Sequence, residues 1–239
     1  MQQVVLITGG TRGIGLGLAK AFMTQGAAVA VCGRSDAPLS AFSRQYPDAL
    51  AIKADVTDAT ARQSMLDAVA ERFGRLDILV NNAGTFIERN FLDGTDSIRD
   101  LEQEIALNLT APIQLTGEVL QRWRNLDALV FVTSGLALVS PTRAPTYGAV
   151  KAGLHAFAEG LRRQLASSAT HVLELLPPMV DTQMNAQREG KKMTPAEVAE
   201  VTLKALAQRR PLALPGHTRL LPMLLRIAPK TIDRTVGSL

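Results

Sequence analysis

The sequence predicts an α/β protein, a doubly wound parallel sheet of about seven strands with helices on both faces. Three observations carry this. Short apolar, β-branched runs alternate with helical patterns, the order that builds a parallel sheet. The strand-like runs are apolar without interruption, as strands buried on both sides are. A glycine-rich turn separates the first strand from the first helix, and such sheets bind ligands beyond the carboxyl ends of their strands. A chain of 239 residues can bury roughly 70% of its extended surface, which suits one unit over residues 1–239.

The elements follow in order. Val4–Thr8 reads as a strand. Arg12–Gln25 reads as a helix, with Leu16, Ala19 and Phe22 or Met23 recurring on one face. Ala28–Cys32 is a strand and Leu39–Gln45 a helix. Leu50–Lys53 is a strand, and Thr60–Phe73 a helix capped by Asp58 or Thr60. Ile78–Asn81 is a strand and Ser97–Arg122 one long helix. Leu129–Thr133, the helix Tyr147–Ser167 and the strand His171–Leu176 come next. Pro195–Gln208 is a helix with Thr194 as its N-cap and Pro195 in its first turn.

Composition narrows the function. Hydrophobic residues make up 46% and charged residues 20%, an ordinary globular balance. A single cysteine excludes a disulfide framework within the chain and a multi-cysteine zinc site. The expected home is the reducing cytoplasm. The amino terminus lacks a basic stretch and a long apolar run, so no signal peptide is read there. Net charge is +4, unevenly spread: residues 185–239 hold ten Lys/Arg and four Asp/Glu, the rest sixteen and eighteen. These cations are scattered, and aromatic residues are only 4%, so nucleic acid is not the expected partner. Metal is not expected, because no ligand spacing links His155, His171 and His217; packing or surface roles suit them. Cys32 reads as a small buried hydrophobe, and Trp123 as a hydrophobic plug.

The turn after the first strand is Thr8-Gly9-Gly10-Thr11-Arg12-Gly13-Ile14-Gly15. Glycines let the backbone bend sharply and approach a pyrophosphate, while the helix amino terminus offers unpaired N–H groups and positive dipole charge. Its position makes the fold Rossmann-type and the ligand a dinucleotide. The second strand ends Cys32-Gly33-Arg34-Ser35, without the acid that holds ribose hydroxyls in NAD sites. Arg34 and Arg12 instead offer two guanidiniums for a bidentate 2′-phosphate contact. NADP(H) is therefore favoured, with NAD(H) as the alternative.

The spacing Gly9, Gly13, Gly15 resembles the opening of the short-chain dehydrogenase/reductases, and further motifs of that family follow in order. They are Asp55-Val56 after the third strand, Asn81-Asn82-Ala83-Gly84 after the fourth, Asn108, Ser134, and Tyr147-Gly148-Ala149-Val150-Lys151. Where the family usually has Pro-Gly after the sixth strand, this chain has Pro177-Pro178. Pro178 has no N–H and cannot take positive φ. That variant is similar to a DltE-like subgroup that includes reductases of D-alanine lipoteichoic-acid operons. The resemblance implies a hydride transfer between nicotinamide and a small carbonyl or secondary alcohol, with Tyr147, Lys151, Ser134 and Asn108 as catalytic residues. It also implies cofactor contacts by Gly9, Thr11, Arg12, Gly13, Ile14, Gly15, Arg34, Asp55, Val56, Asn82, Ala83, Gly84, Lys151, Pro177, Val180 and Thr182. A homodimer or homotetramer is expected through the Ser97–Arg122 and Tyr147–Ser167 helices.

The chemistry fits these residue types. Four residues are about one helical turn, so Tyr147 and Lys151 share a face. A phenol titrates near 10 and needs positive charge to act as a neutral-pH acid–base. Lys151 and oxidised nicotinamide are the expected sources, and Ser134 is expected to hold the reacting oxygen. Two alternatives stand beside this reading: a dinucleotide-binding sensor or scaffold, since fold does not fix function, and a cofactor-retaining epimerase or dehydratase. Residues 184–239 are expected to form a short substrate lid and a carboxy-terminal segment. Within them, 214–233 reads as a helix closing the pocket or an oligomer interface, with shallow membrane attachment as the alternative.

Overall fold

The computed structural model describes residues 2–92, 94 and 98–237. The strands are β1 (Val4–Thr8), β2 (Ala28–Gly33), β3 (Leu50–Lys53), β4 (Ile78–Asn81), β5 (Ala128–Val132), β6 (His171–Leu175) and β7 (Leu212–Ala213). They form one parallel sheet in the order β3-β2-β1-β4-β5-β6-β7. The seventh strand, which the sequence pattern did not locate, is a two-residue edge strand. The order reverses between β1 and β4, so the switch point lies at the glycine turn.

Successive side chains on a strand face opposite ways, and the apolar runs feed two cores. Val5 and Ile7 of β1 and Val130 of β5 turn to one face, under α1 (Gly13–Thr24), α2 (Asp36–Gln45) and α7 (Pro195–Ala207). Val4, Leu6, Leu129 and Phe131 turn to the other, under α3 (Ala59–Phe73), α5 (Ala111–Arg122) and α6 (Pro145–Gln164). Helix ends follow local chemistry. Asp58 Oδ1 accepts from Ala61 N–H at 2.6 Å, which settles the α3 cap, and Gly74 ends α3 at φ +70°. Thr194 and Glu197 form a reciprocal capping box on α7. Proline opens α6 two residues before Tyr147, placing the tyrosine in the first turn.

The long helix expected over Ser97–Arg122 runs from Leu101 to Arg122 without interruption, but with a widened π turn inside it. Ser97 lies outside the described residues. The rest comprises α4 (Leu101–Ile105), a π turn over Ala106–Thr110, and α5. Pro112 has no N–H to donate to the Asn108 carbonyl four residues earlier. The ladder widens, and Ala111 N–H donates to Ala106 O five residues back. Such wide turns favour functional sites, and this one carries Asn108. At the carboxyl end, α8 (Leu221–Ile227) and α9 (Pro229–Gly237) follow β7. No helix among the described residues is long and apolar enough to cross a membrane.

Candidate active site

A cleft of about 480 Å³ runs along the carboxyl ends of the strands, between the turns after β1 to β6. At one end is the glycine turn. Gly9 and Gly13 take φ of +65° and +54°, conformations that side chains resist. The first turn of α1 holds no acidic residue, and the Arg12 side chain does not cap it. Its orphan N–H groups therefore face the cleft, a donor set suited to a pyrophosphate. The Asn82 amide secures this turn by donating to Thr8 O at 2.8 Å and Gly9 O at 3.2 Å. Thr8 Oγ1 accepts from the N–H groups of Asn82 and Ala83. Asn82 thus lines the cleft while its side-chain amide is engaged with the turn's backbone.

A Cβ on Gly15 would lie 2.4 Å from Gly9 O and 2.6 Å from the Asn82 amide nitrogen. The Gly15→Ala variant is therefore expected to lose about 1–3 kcal/mol of stability, the usual range for overpacking. Denaturant unfolding checks this, and an unchanged midpoint would contradict the packing described.

The two arginines do not converge. Arg34 sits at the exposed cleft rim, 3.8 Å from Asp55. Arg12 instead donates from Nη1 to Gln183 Oε1 at 2.9 Å, across the cleft. Burial acts to raise the Asp55 carboxyl, but the Thr57 N–H and hydroxyl and the Arg34 guanidinium outweigh it and hold it below its ordinary value. Cys32 is buried, and burial pushes its thiol up to about 12. It has no thiolate chemistry there.

At the other end, Ser134, Tyr147, Lys151 and Asn108 are all buried. Ser134 leaves β5 and accepts from Leu136 N–H at 3.1 Å. Lys151 Nζ donates to Val132 O at 3.0 Å and lies 5.7 Å from the centre of the Tyr147 ring. Burial pulls the Lys151 ammonium down to about 8. Asn108 makes a two-way bond with Thr85, donating to its carbonyl at 3.1 Å and accepting from its N–H at 3.2 Å. A Cβ on Gly84 would stand 2.7 Å from Asn108 Oδ1 and 3.5 Å from Lys151 Nζ, so only a glycine lets the backbone pass there.

Tyr147 differs electrostatically from expectation. Burial pushes its phenol up to about 12; Ser134 and Arg188 act downward and Glu104 upward. Arg188 adds positive charge from outside the motif, while the Lys151 ammonium, bonded to the Val132 carbonyl, lies 5.7 Å from the ring centre. The Phe86 ring lies 4.7 Å from the Tyr147 ring, and the Arg188 guanidinium lies 3.9 Å above Phe86. Arg188 also donates to Asn185 Oδ1 and Glu88 Oε1. The two additions to Tyr147 had no sequence signal: Phe86 and Arg188 are about a hundred positions apart and in no motif.

Fifteen of the sixteen expected cofactor residues line the cleft. The sixteenth, Gly15, packs beneath it against the Gly9 carbonyl. Tyr147, Lys151 and Asn108 also line it, and Ser134 lies just behind Thr133. Pro177 and Pro178 both border the cleft. The Pro178 ring lies close to Gly216, whose added Cβ would be 3.5 Å from it. His155 is no simple packing residue: its Nδ1 is 2.8 Å from the fully buried Glu174 carboxylate, which also accepts from Thr133 Oγ1 at 2.7 Å.

Comparison with known proteins gives a consistent result. Residues 3–192 match the family model described as short chain dehydrogenase. The uncharacterized oxidoreductase DltE of Bacillus subtilis is 40% identical over 190 residues, covering 79% of this chain and 75% of that one. A short-chain dehydrogenase from Streptomyces avermitilis superimposes with a TM-score of 0.84 at 27% identity, covering 98% of this chain and 96% of that one. A variant of the actinorhodin polyketide ketoreductase, solved with NADPH, gives 0.80 at 25% identity over 88% of this chain and 92% of that one.

Proposed function

The chain belongs to the short-chain dehydrogenase family, and from that premise we propose an NADP(H)-dependent oxidoreductase interconverting a carbonyl and a secondary alcohol. The observation that carries the reading is one cleft bordered by the uncapped α1 terminus at one end and by Tyr147, Lys151 and Asn108 at the other. The donor set fits a dinucleotide. The glycine turn and first N–H groups of α1 would hold the pyrophosphate, Asp55 and Val56 the adenine side, Lys151 the nicotinamide ribose, and Thr182 the carboxamide. Arg34 would hold the 2′-phosphate, joined by Arg12 once it leaves Gln183.

When bound, the dinucleotide supplies the hydride and, oxidised, a positive charge beside the phenol. Tyr147 gives its Oη proton to the substrate oxygen in reduction and takes it back in oxidation. Ser134 Oγ hydrogen-bonds the same oxygen and fixes it beside the phenol. Lys151 orients the ribose from below, and Asn108 holds the backbone after Gly84 for a proton relay. The stack of Arg188 on Phe86 on Tyr147 keeps the ring in place and water away from it. Of residues 184–239, those up to 237 form the lid and carboxy-terminal segment of this single unit, and 238 and 239 lie outside the described residues. The α5 and α6 surfaces are the proposed homo-oligomer contacts.

Titration with NADPH and NADH side by side tests this assignment. Tighter binding of NADPH by about tenfold or more, about 1.4 kcal/mol, is expected. Preference for NADH would overturn the cofactor assignment. Binding of neither would leave a scaffold without a cofactor.

A further inference from the structure

The carboxy-terminal helices carry a surface the catalytic reading does not use. In α8, Leu221 is buried and packs toward Gly135, whose added Cβ would lie 3.5 Å from Leu221 Cδ2. The opposite side is bare: Met223 is 52% exposed and Ile227 72% exposed, four residues apart on one face, with Leu220 just before them at 44%. Three large apolar side chains within eight residues is an unusual load for open water.

The surrounding charge is mostly positive. Arg219, Arg226, Lys230 and Arg234 are all exposed, and Asp233 is the single acid in residues 211–239. Arg226 lies one turn from Met223 and beside Ile227. The amphipathic α9 turns Ile232 and Val236 inward and Lys230 and Arg234 outward. The pair is tied down, since Thr142 N–H donates to Gly237 O at 2.7 Å.

We propose that α8 and α9 form an interfacial anchor that docks this protein on an anionic lipid surface, with Leu220, Met223 and Ile227 in the acyl boundary and Arg219, Arg226, Lys230 and Arg234 on the headgroup phosphates. Charge selects this occupant over a second copy. A two-fold interface sets a patch against itself, and a patch ringed by cations would bring like charges together. An anionic bilayer satisfies both the apolar stripe and its ring.

Co-sedimentation of the full chain with vesicles decides the matter. The probes are phosphatidylcholine alone and phosphatidylcholine mixed with phosphatidylglycerol. Pelleting with the mixed vesicles, weakened by salt and weak on phosphatidylcholine alone, is expected. Met223→Glu/Ile227→Glu and Arg226→Glu/Lys230→Glu should each lower the bound fraction constant about tenfold or more. These side chains are exposed, and an unchanged melting temperature verifies the fold of each variant. No pelleting with anionic vesicles, equal pelleting on phosphatidylcholine alone, or variants that pellet like the parent would overturn the proposal. So would a parent that ignores vesicles while Met223→Glu/Ile227→Glu reduces its size in solution, which would assign the surface to a second copy. None of these outcomes depends on dinucleotide binding, so failure here is distinguishable from failure of the oxidoreductase reading.

Discussion

Tyr147→Phe is expected to lower turnover by about 10²- to 10⁴-fold, the usual contribution of a positioned general acid, while NADPH binds as before. Only the hydroxyl is lost. The ring remains against Phe86 at 4.7 Å, and the cleft's phosphate end lies elsewhere. Steady-state kinetics paired with a binding titration separates the two effects. Full activity in the variant would remove Tyr147 from the mechanism. Loss of binding together with activity would mean that the tyrosine holds the cleft's shape.

The second large effect is on cofactor choice. Arg34→Asp is expected to raise the Michaelis constant for NADPH by about tenfold to a hundredfold, in line with about 1.5–3 kcal/mol for a hydrogen bond to a charged group. NADH, lacking the 2′-phosphate, should change little. Arg34 stands alone at the rim with Asp55 at 3.8 Å, because Arg12 is turned to Gln183. The variant also puts a second carboxylate beside Asp55, which sharpens the rejection of phosphate. Comparing the two cofactors in one preparation checks the assignment; an equal effect on both would contradict it.

What could be read from the residues was whatever leaves a local trace. Val4–Thr8 and Ile78–Asn81 were legible as strands because both faces of the sheet are covered and their apolar runs are unbroken. Asp58 and Thr194 announced their helices because capping is a contact three residues long. Tyr147 and Lys151 were legible as a candidate pair because four residues are about one helical turn, and both line the cleft. The widened turn at Asn108 follows from Pro112, a local cause that no periodicity reveals. The short strand at Leu212–Ala213 has too few residues to form a pattern.

The remainder was hidden because it depends on distance in sequence. Arg12 was read beside Arg34, and only the folded chain brings it to Gln183, 171 positions away. His155 reaches Glu174 across the space between α6 and β6. Lys151 was expected to set the phenol's acidity. Its bond to the Val132 carbonyl, and the arrival of Arg188 above Phe86, are facts of packing that no motif encodes.

The claim that hydride is transferred to a carbonyl beside Tyr147 is tested most directly by following the hydride itself. The protein is incubated with NADPH deuterated at the hydride-bearing nicotinamide carbon and a panel of aldehydes and ketones, and the products are examined by mass spectrometry. The account predicts alcohols carrying deuterium on the carbinol carbon, formed one per NADPH consumed, and at a rate lowered by about 10²- to 10⁴-fold with Tyr147→Phe. Dinucleotide that binds but keeps its deuterium through the whole panel would contradict it, and would return the protein to a sensor or a cofactor-retaining isomerase.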